Sequence, residues 1–242
     1  MVEPDSTPSI HRRREKAWDD FQDFINRRDR SNWMFRGHGD AAWTLRPKNG
    51  RIGEREHDPF DEYNVFDTFR RRARIHLGDR NLSDWEWLCL AQHHGLPTRL
   101  LDWTSNPLMA AYFAVAGRAT EDKDASVIAI QVRPSHVVDQ KHELYPFDVD
   151  EVKLVIPSAV VPRIVAQRGF FTVHPAPAED WVPEKPLSIK RFTIPADCRQ
   201  FFRRRLFYRG IDASHAMADI DGLCETLRWQ YERRIAVGGI SY

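Results

Sequence analysis

The chain runs to 242 residues, of which 42% are hydrophobic, 12% aromatic and 29% charged, a composition that excludes wholesale disorder, collagen-like repeats and low-complexity arrays. Lys and Arg number 36 against 35 Asp and Glu, for a formal charge of +1, so no global basic field exists and a nucleic-acid partner would have to meet a local patch. Cys89, Cys198 and Cys224 are odd in number and form no C-x-x-C pair, which argues against a disulfide framework and a structural zinc site. The N-terminus has no apolar signal region and no stretch approaches about 18 consecutive apolar residues, so the expected location is the cytoplasm and no membrane partner is expected.

Residues 1–12 carry two prolines and little apolar content and read as a loose leader. Trp18, Phe21, Phe24 and Ile25 then recur at helical spacing within a helix expected from Ala17 to about Asn26. Trp33-Met34-Phe35 reads as a short buried strand running into Arg36-Gly37-His38-Gly39, where two glycines mark a change of backbone direction. A helix is expected over Phe60–Leu77, with Phe66, Phe69 and Ala73 on one face. Another opens at Ser83-Asp84-Trp85-Glu86, a capping box, and ends at Gly95. Arg99–Trp103 reads as a strand. Asn106-Pro107 begins a helix with a side-chain cap and a proline in the first turn, and Leu108–Ala116 is apolar nearly all round, so it belongs in the interior.

The second half reads as strands at Ser126–Val132, Lys153–Ile156, Phe170–Val173 and Leu187–Ile194, kept short by prolines. Closing helices follow over about Cys198–Tyr208, stopped by Gly210, and Leu223–Arg233. No linker, composition shift or internal repeat divides the chain, so the expected organisation after the leader is one α+β domain over 13–242.

Two segments carry candidate chemistry. Arg36, beside a glycine that lets a ligand approach the backbone, suits a phosphate or carboxylate, because a guanidinium donates two parallel hydrogen bonds; the structural alternative is an ion pair with an internal Asp. In the second, Asp102, Thr104, Ser105 and Asn106 lie where a strand feeds a helix N-terminus, whose unpaired amides favour an anion. Here Asn106 or Ser105 caps the helix, and Asp102 is a partner for Arg99 or Arg36. Adjacent His93-His94 lacks metal-ligand spacing, so no metal is expected. Walker, dinucleotide-fold and G-x-S-x-G motifs are absent. The runs Arg12-Arg13-Arg14, Arg70-Arg71-Arg72 and Arg203-Arg204-Arg205 suit solvated helix faces or phosphate contacts.

Phe35-Arg36-Gly37, the block from Gln92 to Pro107 continuing through Ala110-Ala111-Tyr112-Phe113-Ala114, and Arg163-Ile164-Val165-Ala166-Gln167-Arg168-Gly169-Phe170-Phe171 together resemble the FRG domain family, over a core of about 20–175 with a C-terminal extension over 176–242. The motif order is similar, more distantly, to that of the ADP-ribosyltransferase superfamily. That resemblance implies a split, mixed β-sheet flanked by helices and NAD as the substrate. It places Arg36, Gly37, His38, Thr104 and Ser105 against the NAD, and Arg36, Asp102, Thr104 and Gln167 in the catalytic group. Gln167 stands where the superfamily has a Glu, and Asp102 or Glu225 are the available substitutes. The implied activity is ADP-ribosyl transfer to a protein or nucleic-acid acceptor, as in a toxin or antiphage effector; the alternative is a noncatalytic nucleotide-sensing or nucleic-acid-binding module.

Overall fold

The computed structural model describes residues 8–29, 32–51, 58–78, 81–139, 145–157, 167–183 and 188–236. Residues 1–7 of the expected leader, Arg163–Ala166 of the third motif block and Leu187 lie outside them. The described elements mix helices and strands, and none of the described helices is long and apolar enough to cross a membrane.

Helix α1 spans Pro8–Asn26, so the last five residues of the expected leader are helical: Trp18 and Phe21 are buried and anchor the helix, while the exposed turns before them need no apolar face. Strand β1 is Trp33–His38, helix α2 is Pro59–Leu77, α3 is Asp84–His93, β2 is Leu100–Thr104 and α4 is Pro107–Ala116. Then come β3, Ala125–Gln131, β4, Lys153–Val155, β5, Gly169–Val173, and β6, Ser188–Ile194. Helices α5, Arg199–Phe207, α6, Ala213–Met217, and α7, Ile220–Arg233, close the described chain.

The chain divides into two units. Met1–Ala42, Thr104–Ile130 and Ile189–Tyr242 form unit 1, and Trp43–Trp103 with Gln131–Ser188 form unit 2. In unit 1 the strands follow the order β1-β3-β6, and α4 packs on β1. Met109, Ala110, Ala111 and Ala114 of α4 are completely buried, with Phe21, Val127, Ile194, Phe202 and Leu206 in the same core. Residues Ala125–Ile130 of β3 are all buried, so this strand is covered on both faces rather than alternating. In unit 2 the order is β4-β5-β2, with Val155 opposite Phe171 in the antiparallel β4–β5 ladder. Trp85, Trp87 and Leu88 of α3 close its core against Phe66, Leu100, Phe171 and Val173.

Local signals account for the helix starts. Ser83 Oγ accepts from the Glu86 amide while Glu86 accepts from the Ser83 amide, the expected capping box. Asn106 Oδ1 accepts from the Leu108 and Met109 amides at 3.0 and 3.4 Å. Asn106→Ala leaves those two amides without the cap and is expected to cost about 1 kcal/mol, read as a lower midpoint in urea unfolding with an unchanged slope.

Candidate functional site

Arg36 is half-buried within β1 rather than in a loop after it. The strand continues through Gly37 because α4 crosses directly over it: a Cβ at that position would lie 2.1 Å from the Ala110 carbonyl oxygen and 2.6 Å from the Ala114 nitrogen. Gly37 therefore serves the approach of two backbones, not a reversal of direction. Arg36 Nε donates to His38 Nε2 at 3.1 Å, and His38 is 3% exposed. Residues two apart on a strand share a face, so the pair is local. Nε2 must offer a lone pair to accept this bond, which makes the imidazole neutral with its proton on Nδ1.

The end of β1 is held by a buried cation. Arg199 of α5, 1% exposed, donates to the carbonyls of Gly39, Lys123 and Gly117 and to Thr120 Oγ1. Burial lowers its pKa, and the charges of Glu121, Asp122 and Asp40 oppose that shift. The loop after the Arg36-Gly37-His38 strand is thus tied to the C-terminal end of α4 from a distance of 160 residues in sequence, a link with no local signature.

Thr104 pairs with Phe35 in the antiparallel ladder. Directly opposed residues point to the same face and neighbours alternate, so Thr104 lies on the Phe35 face and Arg36 on the other. Phe35 and Gly37 share the face on which α4 packs. Thr104 is buried, and its Oγ1 accepts from the Asn106 amide at 2.9 Å; Ser105 is half-buried beside it. The cap expected of Ser105 or Asn106 belongs to Asn106. Arg36 and Thr104, both expected against the NAD, thus leave their strands on opposite faces, because a one-residue offset reverses the face.

In unit 2, Asp102 is exposed on β2, and its Oδ2 accepts from Gln92 Nε2 at 3.0 Å, while Gln92 Oε1 accepts from Thr98 at 2.7 Å. Its expected partner Arg99 is engaged elsewhere: Arg99 forms a two-pronged pair with Glu62 of α2 at 2.7 and 3.1 Å, deep in the unit. Asp102 also acts through charge. Burial lowers the pKa of Arg51, against the pull of Asp102; burial pushes the Cys89 thiol up to about 12, with Asp102 and Glu86 adding to the effect. Gln167 is half-buried in the turn before β5, followed by Arg168 in the left-handed region at φ 47°.

A buried polar chain in unit 2 escaped the sequence reading. Trp103 Nε1 donates to Thr172 Oγ1 at 3.0 Å, Thr172 Oγ1 lies 2.9 Å from His174 Nε2, and Trp181 meets both Trp103 and His174 edge to face. The Thr172 hydroxyl accepts from the indole and still has a lone pair and a proton to offer, so the His174 tautomer sets the direction of the second bond. The alternation Phe171-Thr172-Val173-His174 was the available signal, with two polar residues on one face of a buried strand.

The fold and site thus define an α+β protein with a half-buried arginine, oriented by a neutral histidine, on a strand crossed by an apolar helix. Residues 31–123 match the family model described as FRG domain. The matched span is narrower than the expected 20–175: it contains Arg36, Gly37, His38, Asp102, Thr104 and Ser105 and stops before Gln167. No curated protein and no solved structure matches the chain.

Proposed function

We propose that this protein binds a nucleotide bearing a diphosphate, NAD or ADP-ribose, with Arg36 as the phosphate-gripping residue and His38 as the group that aims it. The observation that carries this reading is the Arg36 Nε to His38 Nε2 hydrogen bond within β1. An arginine held at Nε has its planar fork fixed in direction, and the fork is what recognises a phosphate with two parallel hydrogen bonds. A neutral imidazole accepts this bond without adding a negative charge of its own beside the guanidinium. Gly37 lets the strand sit tight under α4 and contributes no bulk at the site.

A second reading, ADP-ribosyl transfer from NAD to a protein or nucleic-acid acceptor in the manner of a toxin or antiphage effector, draws on the occurrence of Arg36 in β1, Thr104-Ser105 at the end of β2 and Gln167 before β5, the order of the ADP-ribosyltransferase motifs. Such transfer breaks the ribose–nicotinamide bond through an oxocarbenium-like state that a nearby carboxylate stabilises. Gln167 is a neutral amide, and Asp102 is hydrogen-bonded to Gln92. The residues therefore favour binding over turnover.

A thermal-shift series with NAD, ADP-ribose and nicotinamide, paired with a nicotinamide-release assay, tests both readings. Binding at 100 times the dissociation constant stabilises the folded state by about 2.7 kcal/mol, a rise in Tm of about 5–10 °C at this chain length. A shift with NAD and ADP-ribose but not nicotinamide, without release, is the expected result. Release of nicotinamide would favour the transferase, and no shift with NAD or with ADP-ribose would refute nucleotide binding.

A further inference from the structure

Helix α2 presents a face that the nucleotide site does not use. A groove of about 530 Å³ runs along it, lined by Asp61, Val65, Phe69, Arg72, Ala73 and His76, with Leu96 at its edge. From Asp61 to His76 the stripe is about 22 Å long at 1.5 Å per residue. Its middle is mainly apolar, with Asn64 and Thr68 as its polar members: Val65 is 48% exposed, Phe69 is half-buried against Trp87, and Ala73 forms a low point in the floor. Its ends differ in charge, with Asp61 in the first turn and Arg72 and His76 in the last turns, all exposed. Two of the basic residues on the flank are already paired, Arg71 with Asp67 at 2.9 Å and Arg70 with Asp84 and Asp67, so these two add little repulsion to an approaching helix.

A stripe that is acidic at one end, apolar in the middle and basic at the other is complementary to its own reverse. Turned about a two-fold axis through Thr68 and Phe69, the helix brings Asp61 of one copy opposite His76 of the other, with Arg72 one turn further on. Val65 then falls against Ala73 and the aliphatic stem of Arg72, a large side chain over a small one. A parallel pairing would set Asp61 beside Asp61 and Arg72 beside Arg72. We propose that the α2 face is an isologous interface at which a second copy of this chain docks antiparallel, helix on helix. One helix pair buries a modest area, so the dimer is weak, with a dissociation constant on the order of 10 µM.

Sedimentation velocity from about 1 to about 200 µM, which brackets that constant, reads the proposal directly. The wild type is expected to pass from monomer to dimer over this range. Val65→Asp places a charge in the apolar seam and should keep the chain monomeric throughout, with circular dichroism unchanged because the position is half exposed. Asp61→Arg should weaken the dimer about tenfold by setting like charges together, and Asp61→Arg with Arg72→Asp should recover it. In a Cys224→Ser background, Thr68→Cys should form an intermolecular disulfide under mild oxidation, and Arg74→Cys should not. A wild type that stays monomeric at 200 µM, a dimer that Val65→Asp leaves intact, or equal cross-linking at positions 68 and 74 would each overturn the interface.

Discussion

Arg99→Met is expected to lower the unfolding free energy by about 3–5 kcal/mol, the largest loss among single substitutions outside the candidate site. Arg99 and Glu62 are each 4% exposed at the side chain. Arg99 Nε and Nη2 hold the two Glu62 oxygens at 3.1 and 2.7 Å, Nη1 reaches the Phe147 carbonyl at 3.4 Å, and the guanidinium lies 4.5 Å from the centre of the Phe147 ring. Methionine fills much of the volume but takes the two Arg99 hydrogen bonds and the guanidinium charge away from a buried carboxylate, and it is this loss that costs. Combining Arg99→Met with Glu62→Leu removes both charges and should return most of the loss, so the two effects will not add. Chemical denaturation of the four proteins checks this. A single variant within about 1 kcal/mol of wild type would show that the pair is not the brace of unit 2.

Gly37→Ala should be nearly as damaging for a different reason. The added methyl would sit 2.1 Å from one main-chain atom of α4 and 2.6 Å from another, and α4 cannot retreat because Met109, Ala110, Ala111 and Ala114 are fully buried on its other contacts. Overpacking against backbone is expected to cost about 3 kcal/mol, or about 10 °C in Tm. Gly39→Ala supplies the comparison. Its nearest obstacle is the Thr120 hydroxyl at 2.6 Å, the end of a side chain that can turn, so its loss should be distinctly smaller. Equal losses would mean that the β1–α4 crossing is looser than its geometry.

The helices declared themselves in the sequence because their signals are local. Ser83 with Glu86, Asn106 with Pro107 and the apolar run 108–116 each specify an element within one or two turns. The strand 153–155 and the strand 169–173 were bounded by prolines and a glycine in the same way. What could not be read depends on residues far apart. Gly37 carries the same letter whether it turns a chain or admits a helix, and only the proximity of Ala110 decides between them. Arg99 has Asp102 three residues away yet pairs with Glu62, 37 residues distant. Helix α6 has five residues and an Asp212 cap, too short for a periodic pattern to register.

The candidate site divides along the same line. Arg36 and His38 were legible as residue types, and their hydrogen bond follows from their spacing on a strand. The separation of Arg36 from Thr104 was not, because it turns on a register in which Phe35 rather than Arg36 faces Thr104. One residue of offset distinguishes a shared wall from opposite faces.

Calorimetric titration of ADP-ribose into the wild type and Arg36→Ala decides whether Arg36 grips a diphosphate. Arg36 is half-buried and its Nε bond runs to a neighbour on the same strand, so Arg36→Ala should hold its Tm within a few degrees, as substitutions outside the core do. Binding to the wild type should be saturable, with at least about a tenfold loss in Arg36→Ala, the weight of one charged two-pronged contact. Equal affinity in the two proteins, or a collapse of Tm with binding retained, would contradict that grip and assign Arg36 to the scaffold.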